Sequence, residues 1–245
     1  MKIVTAVKMI VKSLIKKDEY AQFVLAEKIS ERIYPQYKFS EFGRLYLYDK
    51  EFLKYYERFE GTKNYHSLDR KYVLNQIMKL TYNVDGDTAE CGAFAGASSF
   101  LMCNHLLSTH KKHCIFDSFE GLSNPSGEDG EYWHQGDLSS SEEIIRLNLR
   151  NFNNVEIYKG WIPERFSEVS SRKFSFVHLD VDLFQPTFDS LEFFYPRMNQ
   201  GGIILCDDYG FTTCPGAKKA VDEFFSDKKE PVICLPTGQA FMVRR

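Results

Sequence analysis

From residue 88 onward, short apolar runs alternate with stretches whose apolar positions recur every three or four residues. Thr88–Cys91, His113–Phe116, Val155–Tyr158, Phe174–Leu179 and Gly202–Leu205 are rich in β-branched, aromatic and cysteine residues, the pattern of buried strands. Helical spacing fills the gaps. One helix opens at Gly92–Ser98 and runs through Leu107, a second carries Ile144, Ile145, Leu147 and Leu149, a third lies around Asp189–Tyr195, and a fourth spans about Ala217–Phe225. Ser140 and Glu143 have capping-box spacing ahead of the second. Pro236-Thr237-Gly238-Gln239 separates Pro231–Leu235 from Ala240–Val243 and reads as a hairpin. The expectation is an α/β fold: a seven-stranded sheet, parallel through its first five strands and closed by an antiparallel pair.

Residues 1–70 read differently, as a helical cap or oligomerisation segment ahead of a domain at 71–245. This segment is rich in rings, among them Tyr34, Tyr37, Phe39, Phe42, Tyr46, Tyr48, Phe52, Tyr55, Tyr56, Phe59 and Tyr65. Packing of helices explains most of them, while some tyrosines would suit an acceptor pocket. Met1–Lys17 places Ile3, Val4, Val7, Ile10, Val11, Leu14 and Ile15 at helical spacing with lysines between, which fits packing on the domain or a partner subunit better than a membrane surface. Self-association, as a dimer or larger homo-oligomer, is expected from this region.

The overall balance narrows the function. The 245 residues are 43% hydrophobic and 27% charged with a net charge of −3, which fits a globular chain and gives no electrostatic case for nucleic-acid binding. None of the six cysteines forms a CxxC pair, and Cys91, Cys114 and Cys206 fall in predicted strands, so they read as reduced core residues of a cytoplasmic protein. No apolar run reaches membrane-spanning length.

The chemistry concentrates at strand ends. Asp180 follows the fourth strand, and Asp207 and Asp208 follow the fifth. A right-handed crossover brings these tips to one sheet edge, where open α/β sheets place their ligands. Carboxylates that close repel, and a hard divalent cation such as Mg²⁺ is the natural occupant between them. Glu90-x-Gly92-x-x-x-Gly96 joins the first strand to its helix. Phe94 stands where a dinucleotide fingerprint needs its second glycine, so the loop of Gly92, Ala93, Phe94, Gly96 and Ser98 fits a methionine carboxylate and amine better than a pyrophosphate. Glu90 is placed to accept from a ligand ammonium or to tie nearby backbone. Asp117, with Ser118 after it, ends the second strand where a carboxylate takes ribose hydroxyls. Gly160 and Trp161 follow the third strand and border where an adenine attached to that ribose would lie, with Trp161 either stacked on it or part of the core.

Four strings together resemble the macrocin O-methyltransferase family over roughly residues 68–228. They are Glu90–Ser98, Phe116-Asp117-Ser118-Phe119-Glu120-Gly121-Leu122, Leu179–Thr187 with its Asp180-x-Asp182-Leu183, and Gly201-Gly202 through Asp207-Asp208-Tyr209. The resemblance implies a class I methyltransferase (Rossmann-like) fold, S-adenosylmethionine as methyl donor, and Mg²⁺ or a similar divalent cation held by Asp180, Asp207 and Asp208. It also implies a sugar hydroxyl as acceptor, on a nucleotide-linked or glycan-attached sugar. Ala95 replaces the family's usual basic residue, and Phe184 its usual tyrosine. On this reading Asp180 binds metal, borders the cofactor and aids deprotonation. His178 ranks low as a base because strand alternation turns it away or buries it, and His134 is either part of a lid or a solvated loop residue. Two other readings stay open: a catechol-like or other vicinal-oxygen acceptor, and a non-catalytic cofactor-binding module.

Overall fold

Strand tips at one edge of a parallel sheet are what position the site, and their register is regular. In the computed structural model, which describes residues 10–35, 45–59 and 68–245, β1 (Asp87–Cys91) pairs in parallel with both β2 (His113–Asp117) and β4 (Phe174–Leu179). β3 (Val155–Lys159) extends the sheet beyond β2, and β5 (Met198–Cys206) beyond β4, again in parallel. β7 (Ala240–Val243) enters antiparallel beside β5, and β6 (Ile233–Cys234) closes the edge, giving the order β3-β2-β1-β4-β5-β7-β6. Cys91 lies opposite Phe116 on one side and Leu179 on the other, and Leu179 lies opposite Cys206. The residues that follow, Gly92, Asp117, Asp180 and Asp207, therefore leave the sheet at one level. This is the seven-stranded class I arrangement expected from the sequence.

β4 is buried at every position, as a strand covered by helices on both faces must be. The covering helices include α4 (Ala97–His105), α5 (Glu142–Leu149), α6 (Phe184–Phe194) and α7 (Pro215–Phe225). Rings fill much of the space beneath them. Phe116 packs edge-on against Phe166 at 5.0 Å and stacks on Tyr158 at 4.9 Å, and Phe194 meets Phe166 and Phe174 at 5.0 Å each. A buried phenylalanine contributes roughly 1.5–3 kcal/mol by leaving water, so this ring cluster is a main anchor of the sheet.

Two helix starts differ from expectation. Ser141, not Ser140, caps α5: its backbone is extended, and its hydroxyl accepts from the Ile144 N–H at 3.3 Å. α6 begins five residues early because Asp129, from a distant loop, accepts the orphan Phe184 N–H at 2.6 Å. β6 is shorter than Pro231–Leu235, while β7 has the expected bounds.

The chain forms two compact units, Met1–Leu53 and Lys54–Arg245. In the first, α1 (Glu19–Ile33) starts at Asp18, whose carboxylate accepts from Ala21 N at 2.8 Å, and Tyr48 donates to Glu19 at 2.8 Å. α2 (Lys50–Phe59) spans the junction. The expected boundary at 70/71 falls inside α3 (Leu68–Ile77), which belongs to the second unit. Residues 1–9 of the amphipathic stretch, and Tyr37, Phe39, Phe42 and Tyr65, lie outside the described residues. Among the described residues no helix is long and apolar enough to cross a membrane, and all six cysteines are free.

Candidate active site

A cavity of about 300 Å³ opens at the C-terminal tips of β1, β2, β4 and β5. Gly92, Ala93, Phe94 and Ser98 form one wall, Asp117, Ser118, Gly160 and Trp161 a second, and Asp180, Asp182 and Asp208 a third. Tyr132, Trp133, Leu138, Phe211 and Thr213 come from the loops over it.

The glycine loop is held from below. Gly92 has φ +78°, and a Cβ there would stand 2.0 Å from the Asp180 carbonyl oxygen, so only glycine lets β1 and β4 exit side by side. Asp117 fixes the loop's conformation: one oxygen accepts from Ala93 N at 2.7 Å and Phe94 N at 3.0 Å, the other from Phe119 N at 2.7 Å. Three N–H groups thus occupy the carboxylate expected to take ribose hydroxyls. It still faces the cavity, and a carboxylate has about four acceptor sites. Phe94, Phe119 and Asp182 all carry positive φ values, 48°, 59° and 58°, which side chains other than glycine adopt at a cost. All three border the cavity or its loops.

Two expected cofactor residues sit elsewhere. Glu90 is fully buried and does not reach the cavity. Its carboxylate accepts from the Ser99 hydroxyl and pairs with His178 Nδ1 at 2.9 Å, so it cannot meet a ligand ammonium. Gly96 is also outside the cavity wall; it caps α4 in a left-handed conformation under Ile145.

His178 is completely buried with its strand and is not on the cavity wall. Its second nitrogen lies 3.2 Å from Asp207 Oδ1. Burial alone would depress its pKa, but the hydrogen bonds to Asp207 and Glu90 outweigh it and raise the value to about 9. Asp207 is held well below the usual carboxylate range: burial opposes this, while Lys71, Arg70 and His178 overcome it. Asp207 Oδ1 also accepts from Gln239 Nε2 at 2.6 Å, and Oδ2 accepts from Arg70.

The remaining acids repel one another. Burial, followed by Asp182, Asp180 and Asp207, pushes Asp208 far up, and burial and Asp207 push Asp180 up. Asp182, passed over as a base by the sequence reading, is raised to about 7 by burial and by Asp180. It accepts from the Cys214 thiol at 3.3 Å, and its N–H donates to Asp208 Oδ2 at 3.1 Å. Of the three expected metal ligands, Asp180 and Asp208 line the cavity and Asp207 stands behind them. An oxygen donor set under mutual repulsion fits a hard divalent cation. One set of ligand atoms, from His178, Asp180 and Asp207, lies within 4.8 Å, and so does another, from Asp182, Asp208 and Cys214. His134 is largely exposed beside Asp137 and is not on the cavity wall.

The chain is similar to known O-methyltransferases in sequence and in fold. The macrocin O-methyltransferase (TylF) family model matches residues 67–235. The demethyldecarbamoylnovobiocin O-methyltransferase of Streptomyces niveus is 32% identical over 58% of this chain and 59% of its own length. A tetracenomycin-C 4'-O-methyltransferase of Streptomyces olivaceus, which acts on the 8-demethyl-8-(2,3-dimethoxy-α-L-rhamnosyl) compound, is 30% identical over 56% and 58%. The chain thus matches under two thirds of the length of these curated relatives. The structure of the O-methyltransferase NovP superposes with a TM-score of 0.62 at 26% identity, covering 74% of this chain and 83% of that one. With its glycine loop, its Asp117 string and its paired acids at adjacent strand tips, the chain belongs to the macrocin O-methyltransferase family.

Proposed function

We propose that the protein transfers a methyl group from S-adenosylmethionine to a hydroxyl of a sugar, nucleotide-linked or glycan-attached, with a divalent cation at the acid cluster. The observation that carries this is one cavity shared by the Gly92–Phe94 loop, Asp117 and the Asp180, Asp182, Asp208 cluster. The relatives' names, one of which specifies a rhamnosyl compound, support the acceptor class.

Asp117 and Ser118 would hold the ribose, Trp161 would border the base, and Ser98 and Asp180 would meet the amino-acid end. The donor supplies a methyl already activated by its sulfonium. Asp180 and Asp208, with Asp207 behind, would hold the cation, which would lower the pKa of the acceptor hydroxyl and orient its oxygens. Leu138, Val181, Leu183 and Phe211 line the cavity with apolar surface that excludes water and fixes the acceptor for in-line attack. The proton passes to a carboxylate of the cluster. Asp180 is paired with Lys71 at 3.5 Å, whereas among the described residues the Asp182 carboxylate accepts from the Cys214 thiol, which favours Asp182 over Asp180 for this step. A screen of nucleotide-linked sugars, glycosides and catechols with methyl-labelled donor, with and without a chelator, tests the reading. Transfer only to catechols, or transfer to sugars undiminished by chelation, sinks it.

A further inference from the structure

Helix α3 delivers two adjacent cations to the acid cluster, and they are held in different ways. Lys71 is 1% exposed; its Nζ donates to Ser98 Oγ at 2.7 Å and lies 3.5 Å from Asp180 Oδ2. Arg70 is on the cavity wall. Its backbone carbonyl is fixed by Gln239 Nε2 at 3.4 Å, but its guanidinium is at the end of a long side chain, 4.9 Å from the centroid of the Phe211 ring. There it donates to Asp207 Oδ2 and stands 3.8 Å from Asp208 Oδ1. Asp207 Oδ1 is already taken by His178 and Gln239. The carboxylate oxygens that a divalent ion needs from Asp207 and Asp208 are thus the ones that the Arg70 guanidinium faces. A guanidinium stays charged at any working pH, and two cations a few ångströms apart in a partly buried site repel strongly.

We propose that Arg70 is the resident counter-ion of Asp207 and Asp208, and that a divalent ion binds there by displacing its guanidinium while Lys71 stays on Asp180 and Ser98. This rests on the metal reading above. The exchange leaves the acids compensated in both states: by two side-chain cations and His178 without metal, and by Lys71, His178 and the ion with it. Displacement also releases Arg70 from Phe211, so metal occupancy is coupled to the loop that carries this ring.

The test titrates Mn²⁺ into the full-length chain and reads free Mn²⁺ by electron paramagnetic resonance, for the natural protein and Arg70→Met, with folding checked by circular dichroism. Competition predicts that Arg70→Met binds Mn²⁺ about tenfold or more tighter, within the usual span for coupled sites. A second readout follows arginine Nε–H signals by NMR in the natural protein, with Arg70→Lys identifying the Arg70 signal; addition of Mg²⁺ must move it. Equal or weaker Mn²⁺ affinity in folded Arg70→Met overturns the competition and leaves the metal reading standing. Absence of Mn²⁺ binding in both proteins overturns both. Should Arg70→Met fail to fold, an Arg70 signal unmoved at saturating Mg²⁺ overturns the displacement.

Discussion

His178 Nδ1 lies 2.9 Å from Glu90 Oε1, and both side chains are completely buried. The pair links β4 to β1 directly beneath the cavity, and through its other nitrogen His178 steadies Asp207. Because the folded pKa of His178 is about 9, above its ordinary 6.5, its contribution is fully present below about pH 6.5 and is lost as pH rises through 9. Replacing one member leaves uncompensated buried charge, so His178→Gln should cost on the order of 3–5 kcal/mol at neutral pH. Urea unfolding of both proteins between pH 6 and 10 checks this. The gap between their midpoints must narrow above pH 8; a gap constant across that range rules the charged pair out.

Asp180 and Asp182 both face the cavity but should fail differently. Asp180→Asn removes an expected metal ligand and a partner of Lys71, so metal affinity and turnover should fall together, turnover by roughly 10²-fold or more. Asp182→Asn should leave Mn²⁺ binding within a few-fold and lower kcat by about 10²–10⁴. Since Asp182 takes a proton only when ionised, the natural enzyme's rate should climb with pH up to at most about 7, and the variant should lose that limb. A pH–rate profile of Asp182→Asn with the same acid limb as the natural enzyme would transfer the role to Asp180.

Gly92→Ala is expected to damage the fold as well as the site. The new Cβ would collide with the Asp180 carbonyl at 2.0 Å in a left-handed backbone conformation. Strain and overpacking together predict a loss of roughly 2–4 kcal/mol. Thermal unfolding measures it; a change below about 0.5 kcal/mol would show that β1 and β4 can separate at their tips without penalty.

The sheet was readable in the sequence because strands buried on both faces are short runs rich in apolar residues, and β4 is buried throughout with only Ser175 and His178 polar. The acids at the tips were readable for the same reason: they end those runs. What periodicity cannot show is which distant side chain meets which acid. Arg70 reaches Asp207 across 137 residues and Gln239 does so across 32, which turns an expected open ligand into an enclosed one. Glu90 was misplaced because its partner His178 is 88 residues away and on a neighbouring strand. The early start of α6 depends on Asp129, 55 residues before it. Asp182 offered a local signal, the second acid of Asp180-x-Asp182, but its left-handed backbone turns it toward the cavity in a way alternation does not anticipate.

The acids and the glycine loop are carried by the sheet edge, whereas Tyr132, Trp133, Leu138, Phe211 and Thr213 reach the cavity from connecting segments. Insertions or exchanges in those segments can reshape what enters without moving any group that does the chemistry. Descendants of one ancestral chain could therefore diversify across many acceptors while inheriting a single unaltered reaction centre.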